Sequence, residues 1–304
     1  MSAFCAALWL FLAPARAQEA QGWQWHETLT PHFAIAHEMP WPPSGLVMDL
    51  EKMHNRLRMD LGMFSPWMAK ERIKLYLYRD AKSYLSGEFH PPIWSNGLAL
   101  FEKKAVAVPD NPDRKALLRV VGHETSHLLF NGFWREAGKE PPAWINEGLA
   151  MLEESDYSDH PERSLWYQAM VAAQPKAFLP TEQFFALSPA KDLRDQDTIG
   201  EWYVQAYSLV HFLYRKHQRL QFKDFCERLR AGDTLDHSLW LAYRYKDRET
   251  LEKAWKRWLA LPEHGKRAAS AQIAAAAAAP PAKPKGSFAP STITPMKDFK
   301  SLRD

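Results

Sequence analysis

Apolar residues recur along this chain at two different spacings, and the change from one to the other divides it. In "IKLYLY", residues 73 to 78, apolar and polar positions alternate among β-branched and aromatic side chains, which predicts a strand on a sheet. "HFAIAHEM" (32 to 39) alternates enough for a second, shorter strand. Between them Leu46, Leu50, Met53, Leu57 and Leu61 recur at intervals of three and four, the period of a helix with one buried face, with Ser44 as its cap. "NGLALFEKKAVAVPDNP" (96 to 112) predicts two short strands, or one bent strand, ending at Asp110-Asn111-Pro112. From Arg114 to Phe130 the pattern is helical, with Asp113 as cap and Asn131-Gly132 as stop. The expected class is α+β: a small mixed N-terminal β-sheet with helices, then a mainly helical half from about 113 to 265.

Composition refines this at the two ends. Thirteen Trp, sixteen Phe and ten Tyr in 304 residues supply the bulky side chains of a packed core. The first seventeen residues have the form of a secretory signal: the apolar run "FCAALWLFLAP" leads to "ARA", with Gln18 as the mature start, although no Lys or Arg precedes the run. The run is shorter than the roughly 20 residues a membrane span requires, so no transmembrane segment is expected once the signal is removed. The expected location is therefore the periplasm or the exterior. Cys5 lies in that segment, so the mature chain keeps Cys226 alone and has no internal disulfide. Its place beside Phe225 is that of a buried small hydrophobe.

After about residue 265 the chain becomes rich in Ala, Pro and Lys, which predicts a disordered tail over 266–304. That tail holds seven Lys or Arg and two Asp, a balance of +5; the whole chain carries +3, so residues 1–265 carry about −2. The basic character is thus a property of the tail, and the folded part offers no footprint for nucleic acid. The expected organisation is a signal over 1–17, one domain over 18–265 and the tail.

The chemistry concentrates in "VGHETSHLLF", residues 121 to 130. On a helix His123 and His127 stand one turn apart on the same side, so both imidazoles can reach one ion. Glu124 falls on a neighbouring stripe with Leu117, Val121 and Leu128, where an apolar setting raises a carboxyl's pKa and suits it to act as a general base. The structural alternative is a helix whose histidines are satisfied core or rim residues. A second segment, "PPAWINEGLAMLEE" (141 to 154), begins with a Pro pair suited to a helix start and carries Glu147. Two helices joined by a loop would aim Glu147 at the histidine pair, and His, His and Glu with water form a zinc set with one open position. One Zn2+ per chain is expected. A third histidine six positions after His127 would mark another metalloprotease type, but Phe133 stands there. Glu153, Glu154, Asp156, Asp159 and His160 are the other nearby groups, read as a solvated helix end from which one could orient a ligating histidine.

Taken together, His123-Glu124-Thr125-Ser126-His127, Trp144-Ile145-Asn146-Glu147-Gly148-Leu149-Ala150 and the Tyr203 segment "YVQAYSLVHFL" resemble the gluzincin metallopeptidases, in particular the bacterial peptidase MA-like domains related to the catalytic domain of M1 aminopeptidases. "LEKAWKRWLALP" resembles the usual end of such domains, and the resemblance spans roughly residues 30 to 262. It implies a zincin-like fold with the active site between sheet and helices, and hydrolysis of a peptide or protein substrate. It further implies His123, His127 and Glu147 as metal ligands, Glu124 as base, and Tyr203 as the group supporting the oxyanion. The aminopeptidases grip a free amine through a glutamate in a G-x-M-E-N loop. Here the similar place reads Gly97-Leu98-Ala99-Leu100-Phe101 and Glu102 comes two positions late, so aminopeptidase activity is not implied. The alternative function is a catalytically inactive zinc-binding or scaffold module of the cell envelope.

Overall fold

The computed structural model describes residues 24–93, 95–154, 160–173, 178–193 and 195–278; the expected signal lies outside them. Five strands form one mixed sheet: β1 (His26–Leu29), β2 (Phe33–His37), β3 (Ile73–Tyr78), β4 (Leu98–Leu100) and β5 (Ala105–Pro109), in the order β1-β2-β3-β5-β4. The outer pairs β1–β2 and β4–β5 are antiparallel, and the inner pairs β2–β3 and β3–β5 are parallel. Parallel neighbours need a crossover, and helix α1 (Leu46–Leu61) makes the one from β2 to β3. Its apolar positions are buried as their period requires. Its cap is Gly45, in the left-handed region, rather than Ser44, and no side chain caps it. The short helix α2 (Ala81–Leu85) follows β3.

Alternation along β3 sends Ile73, Leu75 and Leu77 into the main core, while Tyr78 joins Tyr84, Leu98 and Ala107 in a smaller cluster on the opposite face. β5, central and parallel to β3, is buried from Ala105 to Val108. The helical half comprises α3 (Arg114–Arg135), α4 (Ala143–Glu153), α5 (Leu165–Ala172), α6 (Thr181–Ala186), α7 (Pro189–Asp192), α8 (Gln196–Leu213), α9 (Arg219–Ala231), α10 (Leu235–Tyr243), α11 (Arg248–Leu259) and α12 (Pro262–Ala278). The expected α+β class, sheet first and helices after, is the one observed.

Two further local expectations change. Helix α3 is capped by Asp113, whose carboxylate accepts from the Lys115 and Ala116 amides, but it does not stop at Asn131-Gly132. It runs to Arg135 because Phe133 and Trp134 are core residues; the chain turns at Gly138, in the left-handed region. Tyr203 lies well inside α8, which begins at Gln196 behind an Asp195 cap. At the other end, the residues after 265 continue α12 as far as Ala278. The helix packs against α5 by burying Ala268 and Ala271, the Tyr167 hydroxyl lies 2.7 Å from His264 Nδ1, and Gln168 donates to the Ala268 carbonyl. Alanine is the best helix former, so a run read as low complexity has a helix available to it once one face finds a partner.

Candidate functional site

Helix α3 packs against β5 and β4 of the sheet and α4 packs against α3, and between the two helices His123, His127 and Glu147 come together. One ligand atom from each lies within 4.8 Å of the others, the one such group among the described residues. The two Nε2 atoms are 3.0 Å apart, and Glu147 carboxylate oxygens lie 3.8 Å from each of them. The edge of a tetrahedron built on bonds of about 2.0 Å is about 3.3 Å, so these distances bracket a zinc site.

The outward nitrogens explain why the inward ones face each other. His123 Nδ1 donates to Glu154 Oε1 at 2.8 Å, and His127 Nδ1 donates to Asn146 Oδ1 at 3.1 Å. Each Nε2 lone pair is thereby turned inward, and two such lone pairs at 3.0 Å repel unless a proton or a cation lies between them. Glu147 Oε2 is buried with no hydrogen-bond partner. A carboxylate oxygen of that kind costs free energy unless a cation satisfies it. The donor set and its outer partners fit zinc.

Electrostatics follow from burial. Burial raises the Glu124 carboxyl, with both histidines opposing it, and pushes Glu147 up to about 7. Burial disfavours a charged His123, but the Glu154 hydrogen bond and the surrounding carboxylates outweigh it and hold His123 at about 9. His127, desolvated and beside that charge, falls to about 4. The pair therefore keeps one proton between two rings until a cation displaces it.

Glu124 stands outside the ligand set. Its side chain lies against the backbone of Gly97, the residue before β4, on the sheet side of the site. Tyr203 approaches from α8. Burial and the nearby carboxylates of Glu147 and Glu154 keep its hydroxyl protonated well beyond the ordinary range. Tyr207, one turn on, lies 3.3 Å from Ser164 Oγ through its hydroxyl. Helices α4 and α8 meet closely: a Cβ on Gly148 would lie 2.5 Å from Val210 Cγ2 and 2.6 Å from the Ala206 carbonyl oxygen.

Of the groups weighed as other ligands, Glu154 orients His123. Its second oxygen accepts from Trp166 Nε1 at 2.8 Å, so α5 supports the site as well. Glu153 turns the other way, to Arg56, and His160 pairs with Glu162. Asp156 and Asp159 lie outside the described residues. Glu102 is exposed on a short helical turn between β4 and β5. Asn146 and Trp166 have no signal of their own in the sequence. Asn146 could have been found only by asking what fixes the tautomer of His127.

A sheet carrying a long helix on one face, an H-E-x-x-H pair on that helix and a glutamate from the next describe a gluzincin-like peptidase domain. Residues 56–261, well over half of the chain, match the peptidase MA superfamily, and the chain belongs to that superfamily. No curated protein matches the sequence. The match begins within α1 and ends just before α12, so β1, β2 and the C-terminal helix lie outside it.

Proposed function

We propose that this chain is an exported zinc-dependent peptidase that hydrolyses peptide bonds in a peptide or protein substrate. The observation that carries the reading is the inward-facing set of His123, His127 and Glu147 with Glu124 beside it, in a chain of the peptidase MA superfamily. Zinc, when bound there, supplies a Lewis acid toward the peptide carbonyl and toward water. His123 and His127 hold the ion through nitrogens that Glu154 and Asn146 keep deprotonated and aimed. Glu124 takes the proton of the attacking water and delivers it to the leaving amine; its desolvated carboxyl is basic enough for the first transfer and acidic enough for the second. Tyr203, neutral at any working pH, donates to the carbonyl oxygen as negative charge develops.

Export rests on the first seventeen residues and predicts a mature N-terminus at Gln18. Among the described residues no helix is long and apolar enough to cross a membrane. The deciding experiment is metal analysis joined to a peptide-library digest. The mature protein should carry about one zinc per chain, and chelation should abolish cleavage in a way that added zinc restores. Glu147→Ala should weaken zinc binding itself. Protein that stays substoichiometric in excess zinc, or cleavage indifferent to chelation, would refute the reading.

A further inference from the structure

Resting on that reading, we propose that Tyr84, Ser95 and Gly97 form a bracket that holds the Glu124 side chain in register with the metal group. The three are positioning residues, since none of them touches the reacting atoms.

The bracket begins as a matter of space. A Cβ built on Gly97 would lie 2.7 Å from Glu124 Cγ and 3.2 Å from its Cδ, and 2.8 Å from Val120 Cγ1. Val120 and Glu124 are one turn apart on α3, so the Gly97 backbone is wedged into the groove between them. Gly97 is not in the left-handed region, so its backbone conformation is open to alanine, and what excludes alanine is the pair of side chains of Glu124 and Val120. A glutamate on a helix has three side-chain torsions to fix. Here the wedge, lying against Cγ and Cδ, supplies a wall for the two inner ones.

The wedge is itself anchored. Ser95 Oγ donates its single proton to the Gly97 carbonyl at 2.5 Å, so the Tyr84 hydroxyl, 2.8 Å away, is the donor to Ser95. Tyr84 belongs to α2 and is buried in the small cluster on the far face of the sheet, against Tyr78 and Leu98. The chain of contacts therefore runs from a rigid core residue through a hydroxyl and a carbonyl to the glycine that abuts Glu124. Such a chain fixes the approach to β4, an edge strand with no partner strand beyond it among the described residues.

The test measures kcat and KM on a quenched peptide that the wild type cleaves, with zinc content and Tm, for Glu124→Gln, Gly97→Ala, Ser95→Ala, Ser95→Thr and Tyr84→Phe. Gly97→Ala should lose about 10- to 100-fold in kcat, the scale of an ångström's displacement of a catalytic group, with KM within about two-fold and zinc unchanged. Ser95→Ala and Tyr84→Phe should each lose a few-fold. Their combination should equal Ser95→Ala alone, because Tyr84 acts through Ser95, and Ser95→Thr should recover most of the rate. If Glu124→Gln is inactive while Gly97→Ala turns over normally, or loses only in KM, the bracket is overturned and the peptidase reading stands. If Glu124→Gln turns over normally, both fall. Should Gly97→Ala not fold, the Ser95 and Tyr84 series decides: equal losses in Ser95→Ala and Ser95→Thr, or additive losses at 84 and 95, overturn the proposal.

Discussion

Helices α1 and α3 are both long and both pack in the core, yet they spend their burial differently. Helix α1 buries an apolar stripe, Leu46, Leu50, Met53, Leu57 and Leu61, with only His54 and Asp60 as polar company, and leaves the opposite face to water. Helix α3 is buried at every position from Val121 to Asn131, and that run includes His123, Glu124, Thr125, Ser126, His127 and Asn131. Thr125 and Ser126 return their hydroxyls to the Val121 and Gly122 carbonyls of their own helix, and the histidines are bonded from α4 and its end. Glu124 and Glu147 keep raised carboxyls that no core requires. Buried polar groups clustered in that way on one helix are what the proposed zinc site would need and what a core alone would not.

The comparison can be broken most directly at its two centres. Glu124→Gln should lose about 100- to 10,000-fold in kcat, the range of general-base contributions, and keep its zinc and its Tm. Leu57→Ala should do the reverse, losing about 2–5 kcal/mol of stability in denaturant melts while turnover well below its Tm is kept. A Glu124 variant that melts like the Leu57 variant would show α3 to be an ordinary core helix. Next in size, Tyr203→Phe should cost roughly 10- to 1000-fold in kcat with zinc retained, while Tyr207→Phe changes the rate little; the opposite ranking would move the oxyanion donor one turn along α8. Glu154→Ala should weaken zinc binding by about 10- to 100-fold, measured by competition with a chromophoric chelator. Unchanged affinity would mean that His123 needs no outer partner.

The smallest effect lies far from the site. Burial pushes His211 down to about 4, with His264, Arg215 and Arg267 adding to it, and burial lowers His264 in the same direction. Both pKa values are below that of the unfolded chain. Their contribution is therefore complete above about pH 6.5 and is lost as pH falls through each lowered pKa, toward 4 for His211, at no more than about 1.4 kcal/mol per pH unit for each group. Melts at pH 7 and pH 5 should differ, and His211→Phe should narrow the difference; an unchanged difference would assign it to other groups.

What could be read in the sequence was what depends on near neighbours. The strand at Ile73–Tyr78 and the helix at Leu46–Leu61 are where alternation and helical spacing put them, because one face of each is apolar and the other is not. His123 and His127 were legible for the same reason, being one turn apart. Glu147 was legible because a short loop joins its helix to theirs. β1 was missed: it is an edge strand with exposed Glu27 and Leu29, and it owes its conformation to pairing with β2, His26 against His37. The end of α3 was misplaced because Asn131-Gly132 is a local stop signal, whereas the burial of Phe133 and Trp134 is decided by distant residues. The Trp166–Glu154 bond and the Gly97 contact have no local signature at all, since each joins elements whose meeting only the fold decides.

The missing Cβ of Gly148 has a mechanical consequence. Because only a hydrogen separates α4 from α8 at that point, a shift that brought a neighbouring Cβ of α4 into register with Val210 or the Ala206 carbonyl would clash, which resists sliding of one helix past the other. Asn146 and Glu147 ride on one helix and Tyr203 on the other, so these groups travel as a single block. A substrate at the proposed site would meet an unyielding wall on the helical side. What would yield to fit a bulkier side chain belongs to the opposite bank, at the short helical turn after β4, which buries none of its residues, rather than at the strand's anchored start.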